Sequence, residues 1–249
     1  MSSMQGRMGI VTGGARGIGA AITKLLVADG ATVAVLGLGA DRERAETLRA
    51  DLDGAASRID FYEADVGDPR ACQLSVERVL AAHGHIDYLV NNAGITADRT
   101  IRKMTIDEWL AVLRVNLSGP FFMMKMVVDH MVERGFGRIV NIGSIVGHTG
   151  NFGQANYAAA KAGLFGLTKT AALEMADRGI TVNCVAPGFT DTELVAAMPE
   201  RARAAAIART PEHRLGKPEE VARVVRFLLD DNSSFITGAV YDVNGGGFM

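Results

Sequence analysis

Thr12-Gly13-Gly14-Ala15-Arg16-Gly17-Ile18-Gly19 joins a short β-branched run, Gly9 to Thr12, to an apolar-periodic segment, Gly19 to Ala28. A strand, a glycine-rich turn and a helix in that order form the unit with which α/β proteins hold a pyrophosphate. Glycines let the backbone approach the phosphates, while the helix N-terminus offers unpaired N–H donors and the positive end of its dipole. The glycines stand as G-x-x-x-G-x-G at Gly13, Gly17 and Gly19, not in the commoner G-x-G-x-x-G spacing. On this reading Gly13, Arg16, Gly17, Ile18 and Gly19 belong to a dinucleotide site.

Outward from the turn, short β-branched runs alternate with longer amphipathic segments to the end of the chain, the pattern of a parallel sheet with crossover helices. Strands are predicted at Gly9–Thr12, Thr32–Leu36, Ile59–Tyr62, Tyr88–Val90, Arg138–Ile142, Thr181–Val185 and Ala239–Asp242. Helices are predicted at Gly19–Ala28, Arg42–Asp51, Pro69–His83, Ile106–Glu133, Ala155–Ala176 and Pro218–Leu229. The expected fold is α/β, a Rossmann-like, doubly wound, seven-stranded parallel sheet with helices on both faces in three layers. One domain over residues 1–249 suffices for this length. The Ala/Arg-rich stretch at about 189–211 is expected to be an irregular insertion, a small lid over a pocket.

A dinucleotide fold that takes NAD usually places an acid after its second strand to bond the ribose hydroxyls. Here Gly37 and Leu38 end that strand, and no carboxylate follows until Asp41. The missing acid favours NADP(H), with Arg16 placed to pair with a 2′-phosphate. Asp65 and Val66 close the third strand; Asp65 either reaches the adenine edge or belongs to a helix N-cap region. Asn91-Asn92-Ala93-Gly94 ends the fourth strand at the expected switch point of the sheet, which assigns Asn92, Ala93 and Gly94 to the cofactor.

The opposite wall is read from Asn141-Ile142-Gly143-Ser144 and Asn156-Tyr157-Ala158-Ala159-Ala160-Lys161. Side chains four apart share a helix face, so Tyr157 and Lys161 point into the same space. A phenol, with a pKa of about 10, exchanges protons poorly at neutral pH; a fixed ammonium beside it is expected to lower that value. Tyr157 then serves as general acid or base, and Ser144 hydrogen-bonds the same substrate oxygen. Asn116 inside a helix competes for backbone hydrogen bonds, and is expected to kink the helix and hold a water.

Composition narrows the partners. A net charge of −2 with mixed signs offers no basic field for nucleic acid or anionic lipid. Phe121–Val132, interrupted by Lys125, Asp129 and His130, reads as a core or subunit-contact helix and not as a membrane span. Met1–Arg7 is short and polar and leaves no room for a signal peptide. The two cysteines, Cys72 and Cys184, read as buried thiols of a cytoplasmic protein.

Together, Thr12-Gly13-x-x-x-Gly17-Ile18-Gly19, Asn91-Asn92-Ala93-Gly94, Asn116, Ser144, Tyr157-x-x-x-Lys161 and Pro187-Gly188 resemble the short-chain dehydrogenases/reductases over essentially the whole chain. The resemblance implies a homotetramer with an Asn-Ser-Tyr-Lys catalytic set. Tyr157 would protonate a substrate carbonyl that Ser144 orients. Lys161 would bind the nicotinamide ribose and lower the tyrosine pKa, and Asn116 would hold a relay water. Pro187, Gly188 and Thr190 would join the cofactor site; no metal is implied. Arg102-Lys103-Met104-Thr105, Asn151 to Tyr157 and Arg214 to Glu220 look like the members that reduce 3-oxoacyl thioesters. Asn151, Phe152, Gln154 and Phe189 would then line the acyl pocket. Phe152-Gly153-Gln154 is similar to members acting on acetoacetyl-CoA, whereas Ala155 to Lys161 looks more like members acting on acyl-carrier-protein thioesters. Acetoacetyl-CoA is the leading expectation. Reduction of another carbonyl, or a non-catalytic NADP-binding subunit, are the rivals.

Overall fold

The computed structural model of the chain describes residues 4–52 and 58–249; the first residues of the polar N-terminus, 1–3, lie outside them. The strands are β1 (Met8–Thr12), β2 (Thr32–Gly37), β3 (Ile59–Glu63), β4 (Tyr88–Asn91), β5 (Gly137–Ile142), β6 (Ile180–Pro187) and β7 (Val240–Val243). They form one sheet in the order β3-β2-β1-β4-β5-β6-β7, each neighbour parallel. The order reverses between β1 and β4, so their carboxyl ends flank a crevice. β1, β4, β5 and β6 are buried along their whole length, as expected of parallel strands covered on both faces.

The helices are α1 (Gly17–Ala28), α2 (Arg42–Ala50), α3 (Pro69–His83), α4 (Ile106–Leu113), α5 (Gly119–Arg134), α6 (Val146–Thr149), α7 (Ala155–Met175), α8 (Glu193–Ala196), α9 (Glu200–Arg209) and α10 (Pro218–Leu228). Val221, Ala222, Val225 and Leu228 make the buried stripe of α10, which packs with α1 on one face of the sheet. α3, α5 and α7 cover the other, with Val76, Met123, Val127 and Ala172 in its core. Helix ends obey local chemistry. Asp68 accepts from Arg70 N at 2.9 Å ahead of α3, Thr105 and Glu108 cap each other at the start of α4, and Gly135 ends α5 at φ 64°.

The long helix predicted over Ile106–Glu133 is present as one continuous helical run, Ile106–Arg134, and the kink expected at Asn116 takes the form of a π-helical turn, Arg114–Ser118, between α4 and α5, with Asn116 buried inside it. One expectation is corrected. The 189–211 stretch is not irregular but carries α8 and α9, because alanine and arginine are strong helix formers. By length and composition alone, Ile106–Arg134 is long and apolar enough to cross a membrane. Met123, Met124, Val127 and Met131 of α5 are nevertheless core residues.

Candidate active site

A cavity of about 590 Å³ opens at the switch point, and every strand of the central sheet from β2 to β6 contributes an end to it or a loop beside it. At its floor, Gly13 N donates to Leu36 O at 2.7 Å, with Gly13 at φ 62° and Gly17 at φ 51°, conformations that side chains resist. Asn92 ties the turn to β4: its Nδ2 donates to the carbonyls of Thr12 and Gly13 at 3.0 and 3.1 Å, and Thr12 Oγ1 accepts from the backbone N–H of Asn92 and Ala93. Gly13, Arg16, Gly17 and Ile18 line the cavity; Gly19 does not. Gly19 lies behind the turn, where a Cβ would stand 2.1 Å from Gly13 O and 2.5 Å from Asn92 Nδ2. A Cβ on Gly13 would meet Ala93 Cα at 3.1 Å. This cradle of bare backbone at the start of a twelve-residue helix fits a pyrophosphate.

The facing wall is built by β5 and α7. Buried Asn141 accepts from Asn91 Nδ2 at 2.9 Å and donates to Thr168 Oγ1 at 2.9 Å, which docks α7 against the sheet. At the start of α7, buried Asn156 donates to Ala97 O and Glu108 O at 3.0 and 3.2 Å and accepts from Tyr157 N at 2.8 Å. With both ends held, Ser144, Tyr157 and Lys161 face one space. Ser144 Oγ accepts from Val146 N at 3.2 Å and hydrogen-bonds Tyr157. Tyr157 keeps some surface toward the cavity, but burial of its phenol pushes the pKa up to about 12; the Ser144 bond opposes this and the Asp98 charge adds to it. Burial lowers Lys161 to about 8.

The expected depression of the phenol by Lys161 is therefore corrected: desolvation raises it, and the group that opposes the rise is Ser144, not the ammonium. Lys161 Nζ donates to Ile142 O at 2.6 Å and stands 5.6 Å from the Tyr157 ring centre. Asn116 is fully buried and does not line the cavity. Its Oδ1 accepts from Ile95 N at 2.8 Å and its Nδ2 donates to Ile95 O at 2.9 Å, so both ends of the carboxamide hold the loop after β4.

At the substrate end, Asn151, Gln154 and Phe189 line the cavity. Gln154 is locked: its Nε2 donates to both Asp98 oxygens at 3.1 and 3.0 Å, and its Oε1 accepts from Asn151 at 3.0 Å. Phe152 is corrected, being 89% exposed and outside the cavity. It rides between Gly150 at φ 67° and Gly153 at φ 81°, a loop that turns it outward.

At the far end, Gly37, Leu38, Asp65 and Val66 line the cavity, as do Asn92, Ala93, Gly94, Pro187, Gly188 and Thr190. Asp65 accepts from Gly67 N at 2.8 Å and lies 3.4 Å from Arg114. The carboxylate thought absent after β2 is present in space. Asp41 folds back through a short 3₁₀ turn and accepts from Leu38 N at 3.2 Å. Asp41, Asp98 and Glu193 are cavity residues that sequence reasoning missed; of these only Asp41 carried a signal, as the first acid after β2.

A phosphate-binding turn and a Ser–Tyr–Lys wall sharing one crevice define an oxidoreductase on a dinucleotide-binding α/β fold. Comparison with known proteins narrows this. The family model described as enoyl-(acyl carrier protein) reductase matches residues 13–247. The 3-oxoacyl-(acyl-carrier-protein) reductase FabG of Thermotoga maritima is 45% identical over 243 residues, covering 98% of both chains. The acetoacetyl-CoA reductases of Rhizobium meliloti and Shinella zoogloeoides are 49% and 48% identical, each over 98% of this chain and 99% of theirs. The chain belongs to the short-chain dehydrogenase/reductase family, whose reductases use nicotinamide cofactors.

Proposed function

We propose that the protein reduces the 3-keto group of a short 3-oxoacyl thioester, acetoacetyl-CoA first among them, to the (R)-3-hydroxyacyl thioester with NADPH. The observation that carries this reading is the placement of Ser144, Tyr157 and Lys161 on one wall of a cavity whose other end is the Gly13–Gly19 turn. The nicotinamide supplies the hydride. Tyr157, protonated throughout the neutral range with a pKa of about 12, gives its proton to the keto oxygen. Ser144 donates to the same oxygen as negative charge grows on it. Lys161 spends one N–H on Ile142 O and keeps its other donors for the ribose hydroxyls. Asn116 acts as a positioning residue through Ile95. Asn151, Gln154 and Phe189 bound the acyl group, and 189–211 closes over it as a lid.

Arg16 and Arg44 at the adenosine end support NADP(H); Asp41, beside Leu38 N, supports a second reading with NAD(H). The similarity to reductases of both carriers supports a CoA or an acyl-carrier-protein thioester as substrate. A homotetramer in the cytoplasm accords with exposed Ile106, Leu110 and Phe121 along α4 and α5, and with the free, buried Cys72 and Cys184; light scattering tests the assembly.

The deciding experiment follows oxidation of NADPH, and of NADH, with acetoacetyl-CoA and acetoacetyl-acyl-carrier protein, for wild type and Tyr157→Phe. Loss of at least ~100-fold in turnover with unchanged NADPH affinity is expected for Tyr157→Phe. Equal rates would reject the mechanism, and tight NADPH binding without wild-type turnover would favour a non-catalytic subunit.

A further inference from the structure

The lid carries an acid to the adenosine end of the cavity, and the chemistry above does not use it. Glu193 opens α8. Its Oε2 accepts from Arg44 Nη2 at 3.2 Å and stands 4.0 Å from Arg16 Nη1. The same arginines face Asp41, whose Oδ1 is 3.5 Å from Arg44 Nη1 and 3.9 Å from Arg16 Nε. Two cations and two anions cancel in this group. Its neighbour Thr192 lies over the phosphate turn, for a Cβ on Gly17 would meet Thr192 Cγ2 at 3.2 Å. The start of the lid thus reaches across the turn and sets a carboxylate on the cations beside the end of β2.

We infer that Glu193 is an internal stand-in for the 2′-phosphate of the cofactor, and therefore a residue that sets cofactor specificity by competition. The inference rests on the NADP(H) reading. A phosphate monoester brings a charge of about −1.5 to −2 at neutral pH, so its arrival makes the group strongly anionic unless a carboxylate leaves. Glu193 is the one free to leave. Its side chain is 60% exposed on a short lid helix, whereas Asp41 is 13% exposed and held by Leu38 N. A cofactor with the 2′-phosphate takes over the arginine pair and releases α8 from the adenosine end. One without it leaves Glu193 where it is, so the occupant of the far end sets the tether of the lid.

Calorimetric titration with adenosine 2′,5′-bisphosphate and with 5′-AMP separates the phosphate from the rest of the cofactor. Glu193→Gln keeps the shape and removes the competing charge. It should tighten the bisphosphate about two- to fivefold, the worth of an exposed ion pair, and leave 5′-AMP unchanged. In an Arg44→Ala background the gain should vanish. Wild type that prefers the bisphosphate while Glu193→Gln tightens neither ligand, or both equally, overturns the stand-in role alone. Indifference of both proteins to the 2′-phosphate overturns the NADP(H) reading as well.

Discussion

Lys161 donates from Nζ to the carbonyl oxygen of Ile142 at 2.6 Å, so the ammonium is anchored to the end of β5 and not to the phenol one helical turn before it. Anchoring inside the protein has a measurable cost. Burial lowers Lys161 from its ordinary 10.5 to about 8. Between those values the unfolded chain holds more protons than the folded one, so this group makes stability rise with pH there. Relative to Lys161→Met, the wild type should gain up to about 3 kcal/mol across that window. Urea unfolding of both proteins from about pH 7 to 10.5 measures it; parallel pH dependences would mean that the ammonium is well solvated.

The raised phenol makes the two directions of the reaction differ in pH dependence. Reduction uses the protonated form and should be insensitive to Tyr157 ionisation well above neutrality, since the phenol sits at about 12. Oxidation of a 3-hydroxyacyl thioester needs the phenolate, and should rise about tenfold per pH unit without a plateau below pH ~10. Asp98, held by Gln154, contributes to the upward shift. Asp98→Asn should therefore move the oxidation profile to lower pH. Initial rates in both directions across the range check this, and a profile identical to wild type would remove Asp98 from the electrostatics of the phenol.

The readability of the chain follows from the range of the forces involved. Strand–helix alternation and the Gly13–Gly19 turn are local, and β5, α7 and the Tyr157–Lys161 face lie close to where periodicity puts them. What periodicity misses depends on where a chain turns in space. The i,i+4 spacing puts Tyr157 and Lys161 on one face but does not say which acceptor Nζ finds. Asp41 returns to the end of β2 only because Gly39–Asp41 forms a 3₁₀ turn. Phe152 faces outward because of left-handed glycines on either side, and Glu193 meets Arg44 across a sequence separation of 149 residues. Asn116 did signal an irregularity, but its partner, the backbone of Ile95, emerges only from the fold.

Asn116 is expected to matter for stability as well as rate. Asn116→Ala strips Ile95 N–H and C=O of their partners; Asn116 is buried but Ile95 is 38% exposed, so water can satisfy part of what is lost and the cost should be about 1–2 kcal/mol. Asn116→Asp keeps the acceptor for Ile95 N but sets an oxygen against Ile95 O, and should recover only part of the loss. Urea unfolding with parallel kcat and KM measurements tests the positioning role. Full stability of Asn116→Ala with a large fall in kcat would assign Asn116 to the proton relay instead.

Gly19 gives the sharpest test of the phosphate turn, because helix propensity and local packing predict opposite results. In an exposed helix, alanine is favoured over glycine by about 1 kcal/mol. At this position the added methyl would lie 2.1 Å from Gly13 O and 2.5 Å from Asn92 Nδ2, both part of the bonding that holds the turn to β4. A contact that close with backbone cannot be relieved by rotating a side chain, so Gly13 and Asn92 must move. Packing therefore outweighs propensity. Gly19→Ala should lower the thermal midpoint and weaken NADPH binding by more than ~10-fold, an amount set by one displaced pair of hydrogen bonds. Fluorescence titration of NADPH and a melting curve decide the matter, and wild-type affinity in a stabilised variant would show that the turn accommodates the methyl and that the cradle is not as tight as its geometry implies.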